Sequence, residues 1–268
     1  MQHKNTKENL HRLKDTELFV LDMDGTIYLG KKPIVGAIEF CRQIIDTGRK
    51  LMYFTNNASK NPDEYVEKLK FLGFPCDRKM IVTSGDVTAA YLNKYYKGKP
   101  VYLVGTPALE KSFKEAGISL SDNAGIVVVS FDTTLTYSKL ERACTLIRNG
   151  ALFFSTHPDI NCPTEDGFIP DSGAICGAVE LSTGIRPRYF GKPYAETVEM
   201  IENLSGTDRK HAAIVGDRLY TDIALGRKNG MLSLLVMSGE TTYEMVDAAL
   251  PEECPDLIFE SVAEIDLS

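Results

Sequence analysis

LFVLDMDGTIYLG, residues 18–30, begins as an apolar run and then sets two acids, Asp22 and Asp24, one residue apart ahead of a glycine turn. The run LFVL reads as a strand buried on both faces, because a strand with one wet face would alternate apolar and polar residues. Two carboxylates at the end of such a strand repel each other. At about 4 Å and an effective dielectric near 20, the repulsion is roughly 4 kcal/mol. The stretch therefore predicts a positive partner at that strand end.

Outward from it, short apolar runs alternate with helical patterns, the signature of βαβ units and a parallel sheet. The spacing of Ala37, Phe40, Cys41, Ile44 and Ile45 predicts a helix within 35–47, stopped by Gly48. KLMYFTNN reads as the next strand, and Asn61-Pro62 opens a helix carrying Tyr65, Val66, Leu69 and Leu72. IVTS and GDVTAAYLNKYY give a third strand and its helix. KGKP, residues 97–100, then breaks the pattern, and a second βα series follows: VYLVG, GIVVVSF and ALFFST. RYFGKP, AAIVGD and LSLLVM return as strands of the first kind. The fold class expected is α/β: a doubly wound parallel-sheet core, residues 1–97 and 188–268, interrupted by an inserted α/β domain at 98–187.

Open parallel sheets bind ligands outside the carboxyl ends of their strands. Those ends carry DMDGT, TNN, GKP and GDRLYTD, which gather Asp22, Asp24, Asp217 and Asp222 with Lys192 and the Thr55 hydroxyl. Any one of these stretches is an ordinary turn or cap. Four together supply the parts of a metal-assisted phosphoryl transfer. A nucleotide-binding doubly wound fold would instead open with a glycine-rich turn of the GxGxxG kind, and acids stand there here.

The 268 residues carry 30 Lys and Arg against 37 Asp and Glu, a formal charge of -7, with no basic tract. This excludes a general binder of nucleic acid or anionic membrane. No apolar stretch is long enough for a membrane span, and MQHKNTKENLHRLK lacks a signal-peptide core, so a cytoplasmic protein is expected. The 6 cysteines form no CxxC pair and read as free thiols, with Cys162 read as an inert loop thiol.

In the order LDMDGT, FTNN, GKP, VGDRLYTDI, the chain resembles the haloacid dehalogenase superfamily of phosphohydrolases, and within it the NagD and pyridoxal phosphatase subgroup with its C2-type cap. The resemblance runs from about Leu18 to Ile265. It implies a Mg²⁺-dependent phosphomonoesterase acting on a small phosphorylated metabolite, such as a sugar phosphate or nucleoside monophosphate. Asp22 would be the nucleophile forming an aspartyl-phosphate, and Asp24 the acid and base. Lys192 and Thr55 would hold the phosphoryl oxygens, with Asn56 and Asn57 extending the cradle and Gly25 allowing the tight turn. The metal ligands implied are the Asp22 and Asp217 carboxylates and the Asp24 carbonyl, with Asp222 ordering the site. Thr26 either hydrogen-bonds Asp24 or serves only the turn.

The insertion is implied to be a cap that bears substrate specificity, and a homodimer joined through it is a further expectation. In STHPDINCPTEDGFIPDSGA, residues 155–174, relatives usually show Asn where this chain has His157 and a Gly-Ala-Gly run where it has Asp171, Ser172 and Gly173. His157 and Asp159 are candidates for leaving-group contacts, with bonding inside the loop as the alternative for His157. Two rival readings keep the same core: a phosphoprotein phosphatase and a non-catalytic phospholigand binder.

Overall fold

The computed structural model describes residues 5–164 and 167–267. Strand β1 is Leu18–Leu21, β2 (Tyr28–Leu29) and β3 (Lys32–Pro33) form an antiparallel hairpin, and β4 (Lys50–Thr55) and β5 (Ile81–Thr83) follow. Next come β6 (Val101–Val104), β7 (Ile126–Val129), β8 (Leu152–Ser155), β9 (Asn161–Thr164), β10 (Gly167–Pro170) and β11 (Arg188–Tyr189). The last three are β12 (Ala212–Gly216), β13 (Leu232–Val236) and β14 (Leu257–Phe259). The chain divides into two compact units: Met1–Phe54, Val66–Val82 and Lys192–Ser268 in the first, Thr55–Tyr65 and Thr83–Gly191 in the second.

The first unit is organised by a six-stranded sheet in the order β14-β13-β12-β1-β4-β5. β1 pairs in parallel with both β12 and β4, and the parallel ladder continues through β13 to β14. All four residues of β1 are buried, as a central strand covered on both faces requires. The helix Ala37–Asp46 lays Ala37, Phe40, Cys41 and Ile44 inward, and Phe40 meets Phe19 of β1 edge to face at 6.0 Å. From β1 the chain winds outward through β4 and β5, then returns on the other side of β1 at β12. The strand order thus reverses between β1 and β12, the place where such sheets form a ligand crevice.

The second unit carries a parallel sheet ordered β11-β8-β7-β6, with the β9–β10 hairpin beside it. Its core joins Val127, Val129 and Phe153 to Ala143 and Ile147 of the helix Tyr137–Arg148 and to Val179 of the helix Ser172–Thr183. The helix Pro62–Phe71 begins as the sequence signals: Asn61 Oδ1 accepts from the Asp63 amide at 2.9 Å, and Glu64 Oε1 accepts from the Asn61 amide at 2.9 Å.

One strand assignment is corrected. RYF, counted above with the first sheet, is the edge strand β11 of the second, paired in parallel with Phe154–Ser155 of β8. The reason is aromatic packing, since the Phe190 ring is buried 4.7 Å from that of Tyr91 and 5.7 Å from that of Phe154. Elements the sequence did not announce are β14, the two hairpins, the short helix Lys7–Lys14 and the helix Ser172–Thr183. Among the described residues no helix is long and apolar enough to cross a membrane.

Candidate active site

In the first unit the acids after β1 and β12 meet. Asp22 continues the β1–β12 ladder, its amide donating to the Val215 carbonyl at 2.8 Å. Asp217 follows Gly216 at the end of β12, and Asp222 comes from the π-helical turn Leu219–Ile223. Oxygens of Asp22, Asp217 and Asp222 lie within 4.8 Å of one another. Lys192, itself 2% exposed, donates from Nζ to Asp22 Oδ1 and reaches Asp222 Oδ1 at 2.6 Å.

Each carboxylate is locked by its surroundings. Asp217 Oδ2 accepts from the Glu240 amide at 2.8 Å, and its Oδ1 accepts from the Thr26 hydroxyl at 3.3 Å. Asp222 Oδ2 accepts from the Arg218 amide at 3.2 Å and the Thr221 hydroxyl at 3.4 Å. The backbone comes close around them: a Cβ on Gly216 would lie 2.2 Å from Asp222 Cγ, a place only glycine leaves open. Asp24 stands just ahead of the turn and is exposed, and the Gly25 carbonyl accepts from the Ser238 hydroxyl at 2.8 Å.

The electrostatics follow from three acids sharing one lysine in a poorly hydrated place. Burial pushes Asp22 up to about 8, with Lys192 opposing and Asp222 and Asp217 reinforcing the rise. Burial, then Asp222, raises Asp217 to about 6. Burial by itself would lower Lys192, but Asp22 and Asp222 outweigh it and raise its pKa. Arg218, the next cation, is paired with Glu240 at 2.8 Å. The cluster therefore carries surplus negative charge on hard oxygen donors, the donor set that suits Mg²⁺. The residues present fit that ion.

The remaining predicted residues fall in the second unit. Thr55 closes β4, and its Oγ1 accepts from the Asn57 amide at 3.1 Å. Asn57 Oδ1 in turn accepts from the Ser59 amide at 3.0 Å. The Asn56 amide group donates to both oxygens of Asp159, at 3.3 and 3.4 Å. His157 is fully buried, Nδ1 lying 2.9 Å from Thr156 Oγ1 and Nε2 2.7 Å from Asp171 Oδ1. Both ring nitrogens are thus engaged inside the unit.

These observations meet in the matches to known proteins. Residues 19–119 match the family described as Haloacid dehalogenase-like hydrolase, and residues 189–265 match a second, HAD-hydrolase-like family. The chain belongs to the haloacid dehalogenase-like hydrolases. Within them it is a NagD-like phosphatase. It is 36% identical over 240 residues to an acid sugar phosphatase of Staphylococcus epidermidis, covering 88% of this chain and 92% of that one. It is also 36% identical over 233 residues to the 5'-nucleotidase YutF of Bacillus subtilis, covering 87% and 91%. The crystal structure of a 4-nitrophenylphosphatase from Thermotoga maritima superposes with a TM-score of 0.91 at 41% identity, covering 95% of this chain and 97% of that one.

Sequence reasoning missed the supporting residues of this phosphatase. The Thr26 hydroxyl turns to Asp217 rather than to Asp24, because the turn after Met23 folds it back toward β12: the amides of Thr26, Ile27 and Tyr28 all donate to the Met23 carbonyl. Ser238, Glu240 and Thr241 brace Gly25 and Asp217 from the loop after β13. Their signal was the polar stretch SGETT at another strand end.

Proposed function

We propose that this phosphatase hydrolyses monoesters of small phosphorylated metabolites, sugar phosphates or nucleoside monophosphates, through an aspartyl-phosphate on Asp22. The observation that carries the reading is Lys192 seated between Asp22 and Asp222, with Asp217 in the same cluster at the β1/β12 reversal. The substrate names of the two curated relatives favour small esters over a protein phosphoresidue.

In this reading the Asp22 carboxylate attacks phosphorus, the ester P–O bond breaks, and Asp24 gives its proton to the leaving oxygen. Asp24 then takes a proton from the water that attacks the acyl phosphate, which releases inorganic phosphate and restores Asp22. Lys192 holds one Asp22 oxygen and so fixes the carboxylate's orientation, and its charge stabilises the phosphoryl oxygens in the transition state. The Thr55 hydroxyl, with Asn56 and Asn57, is assigned to phosphate binding. Asp22, the Asp24 carbonyl and Asp217 would hold Mg²⁺, with Asp222 ordering the site. The bound ion would offset the acid–acid repulsion and let an anionic ester approach an anionic nucleophile. The inserted segment 98–187 is assigned as a cap bearing specificity, and a homodimer through it is tested by the mass of the full chain in solution.

A panel of phosphomonoesters assayed with Mg²⁺ or with EDTA, beside Asp22→Asn, tests the proposal. Metal-dependent phosphate release by the wild type and none by the variant is the expected result. A variant that turns over at the wild-type rate would overturn the covalent route.

A further inference from the structure

The turn that carries Asp222 and the loop that grips Asp217 are joined by one side chain, Glu240. All of these residues belong to the first unit. The loop 238–241, which follows β13, lies directly on Asp217. A Cβ on Gly239 would fall 2.0 Å from Asp217 Oδ2, and the Glu240 amide donates to that same oxygen at 2.8 Å. The Asp217 carbonyl accepts from the Thr241 hydroxyl and, at 3.3 Å, from the Thr241 amide.

The Glu240 carboxylate reaches the turn Leu219–Ile223. Its Oε2 lies 2.8 Å from Arg218 Nε, and its Oε1 accepts from the Tyr220 hydroxyl at 3.0 Å. Arg218 immediately precedes the turn and Tyr220 stands within it. The Arg218 amide in turn donates to Asp222 Oδ2 at 3.2 Å. A closed ring of contacts results, from Asp217 to the Glu240 amide, from the Glu240 carboxylate to Arg218, and from the Arg218 amide to Asp222. It fixes the spacing of two acids whose like charges push them apart. The Arg218 side chain is 16% exposed and that of Glu240 31%, so solvent screens the pair and it adds little to stability. Its effect is geometrical, as it is for other groups that stand behind a metal ligand and hold it in orientation.

We propose that Glu240, held by Arg218 and Tyr220, is a positioning residue that sets the size selectivity of the divalent-ion site, a clasp keeping Asp217 and Asp222 at a spacing that suits Mg²⁺ better than Ca²⁺. The inference rests on the Mg²⁺-dependent phosphatase reading and deepens it. Mg²⁺ requires a near-ideal octahedron of oxygens at about 2.1 Å, whereas Ca²⁺ accepts a looser set at about 2.3–2.6 Å. A rigid cluster therefore favours the smaller ion, and one whose acids can drift apart loses Mg²⁺ first. Glu240 acts through its amide on Asp217 and through its carboxylate on the turn.

Calorimetric titration of the full chain with Mg²⁺ and, separately, with Ca²⁺ tests the clasp. The proteins compared are wild type, Glu240→Ala, Glu240→Gln and Tyr220→Phe, with Asp217→Asn as the reference for loss of the site. Glu240→Ala keeps the backbone amide on Asp217 and removes both side-chain contacts. Its Mg²⁺ affinity should fall by about tenfold, and its Ca²⁺ affinity by no more than about threefold. The melting temperature of the metal-free protein should move by no more than about 2–4 °C. Glu240→Gln retains an acceptor for Tyr220, and Tyr220→Phe removes one contact at a residue that is 38% exposed, so both should lose Mg²⁺ preferentially at a smaller amplitude. These two carry the test if Glu240→Ala does not fold. Equal losses for the two ions, or Mg²⁺ affinity unchanged in the folded variants, would each overturn the clasp. A wild type that binds Mg²⁺ no better than Asp217→Asn would overturn the Mg²⁺ reading of the cluster itself, whereas one that binds it through Asp217, with a Mg²⁺ to Ca²⁺ preference that survives the Glu240 and Tyr220 variants, overturns the clasp alone.

Discussion

Gly25 stands against Asp217 with no room for a side chain. A Cβ on Gly25 would lie 2.4 Å from Asp217 Oδ2, and the glycine's φ is +87°. Gly25→Ala therefore meets two penalties, about 1–2 kcal/mol for a left-handed backbone and the displacement of Asp217. Activity should fall by about a hundredfold, since a shift of about 1 Å in the groups that position the reaction costs that much. The melting temperature should fall by about 2–8 °C, read by calorimetry. Normal turnover would mean that Asp217 can move without consequence.

Lys192 is the positive charge shared by two buried acids. Replacing it by Met leaves Asp22 and Asp222 facing each other without a counter-charge. Breaking a buried pair from one side costs about 3–5 kcal/mol, and the side chain of Asp22, 14% exposed, places this case toward the lower figure. Urea unfolding of Lys192→Met should show that loss, with phosphate release abolished. A midpoint equal to that of the wild type would contradict the role given to this lysine.

The raised acids set a pH signature. Asp22 stands near 8 and Asp217 near 6 in the folded protein against 3.8 as their ordinary value, so their contribution favours folding at low pH and is lost as pH rises through these folded values. For these groups the metal-free protein should gain stability from about pH 9 down to pH 6, and Asp22→Asn should flatten the upper part of that slope. Mg²⁺ affinity should run the opposite way, weakening as pH falls from about 8 to 6 because protons compete for the same oxygens. Calorimetric titration with Mg²⁺ across that range checks the direction, and a pH-independent affinity would exclude these acids as ligands.

Thiol chemistry should follow burial. Cys41 and Cys176 are each pushed up to about 12, mainly by burial, so neither presents a thiolate at neutral pH. Mass spectrometry after alkylation of the native protein should find both unmodified, and alkylation in denaturant should reach them. Native labelling of either would mean that its unit opens.

Much of the first unit was legible because its parallel strands are apolar throughout and their polar ends carry the chemistry. LFVL, KLMYFT, AAIVG and LSLLV each stand out as a run, and DMDGT and GDRLYTD stand out at their ends. RYF was misplaced because a triplet with two aromatic residues bears no label saying which of two sheets it joins. That was settled by Phe190 packing on Tyr91 and Phe154. Thr26 was ambiguous for a similar reason, since a turn hydroxyl has several acceptors within reach until the fold leaves one.

The sequence by itself determined the α/β class, the order of the elements and the identity of the acids and lysine, because hydrophobic period and residue chemistry are local properties. Only the tertiary structure decided that Lys192 seats against both Asp22 and Asp222, that Thr26 and Glu240 close on Asp217, and that His157 turns inward to Asp171. Those pairings join residues from 14 to 191 positions apart in the chain. Burial and charge acting through space select them, and a linear pattern encodes neither.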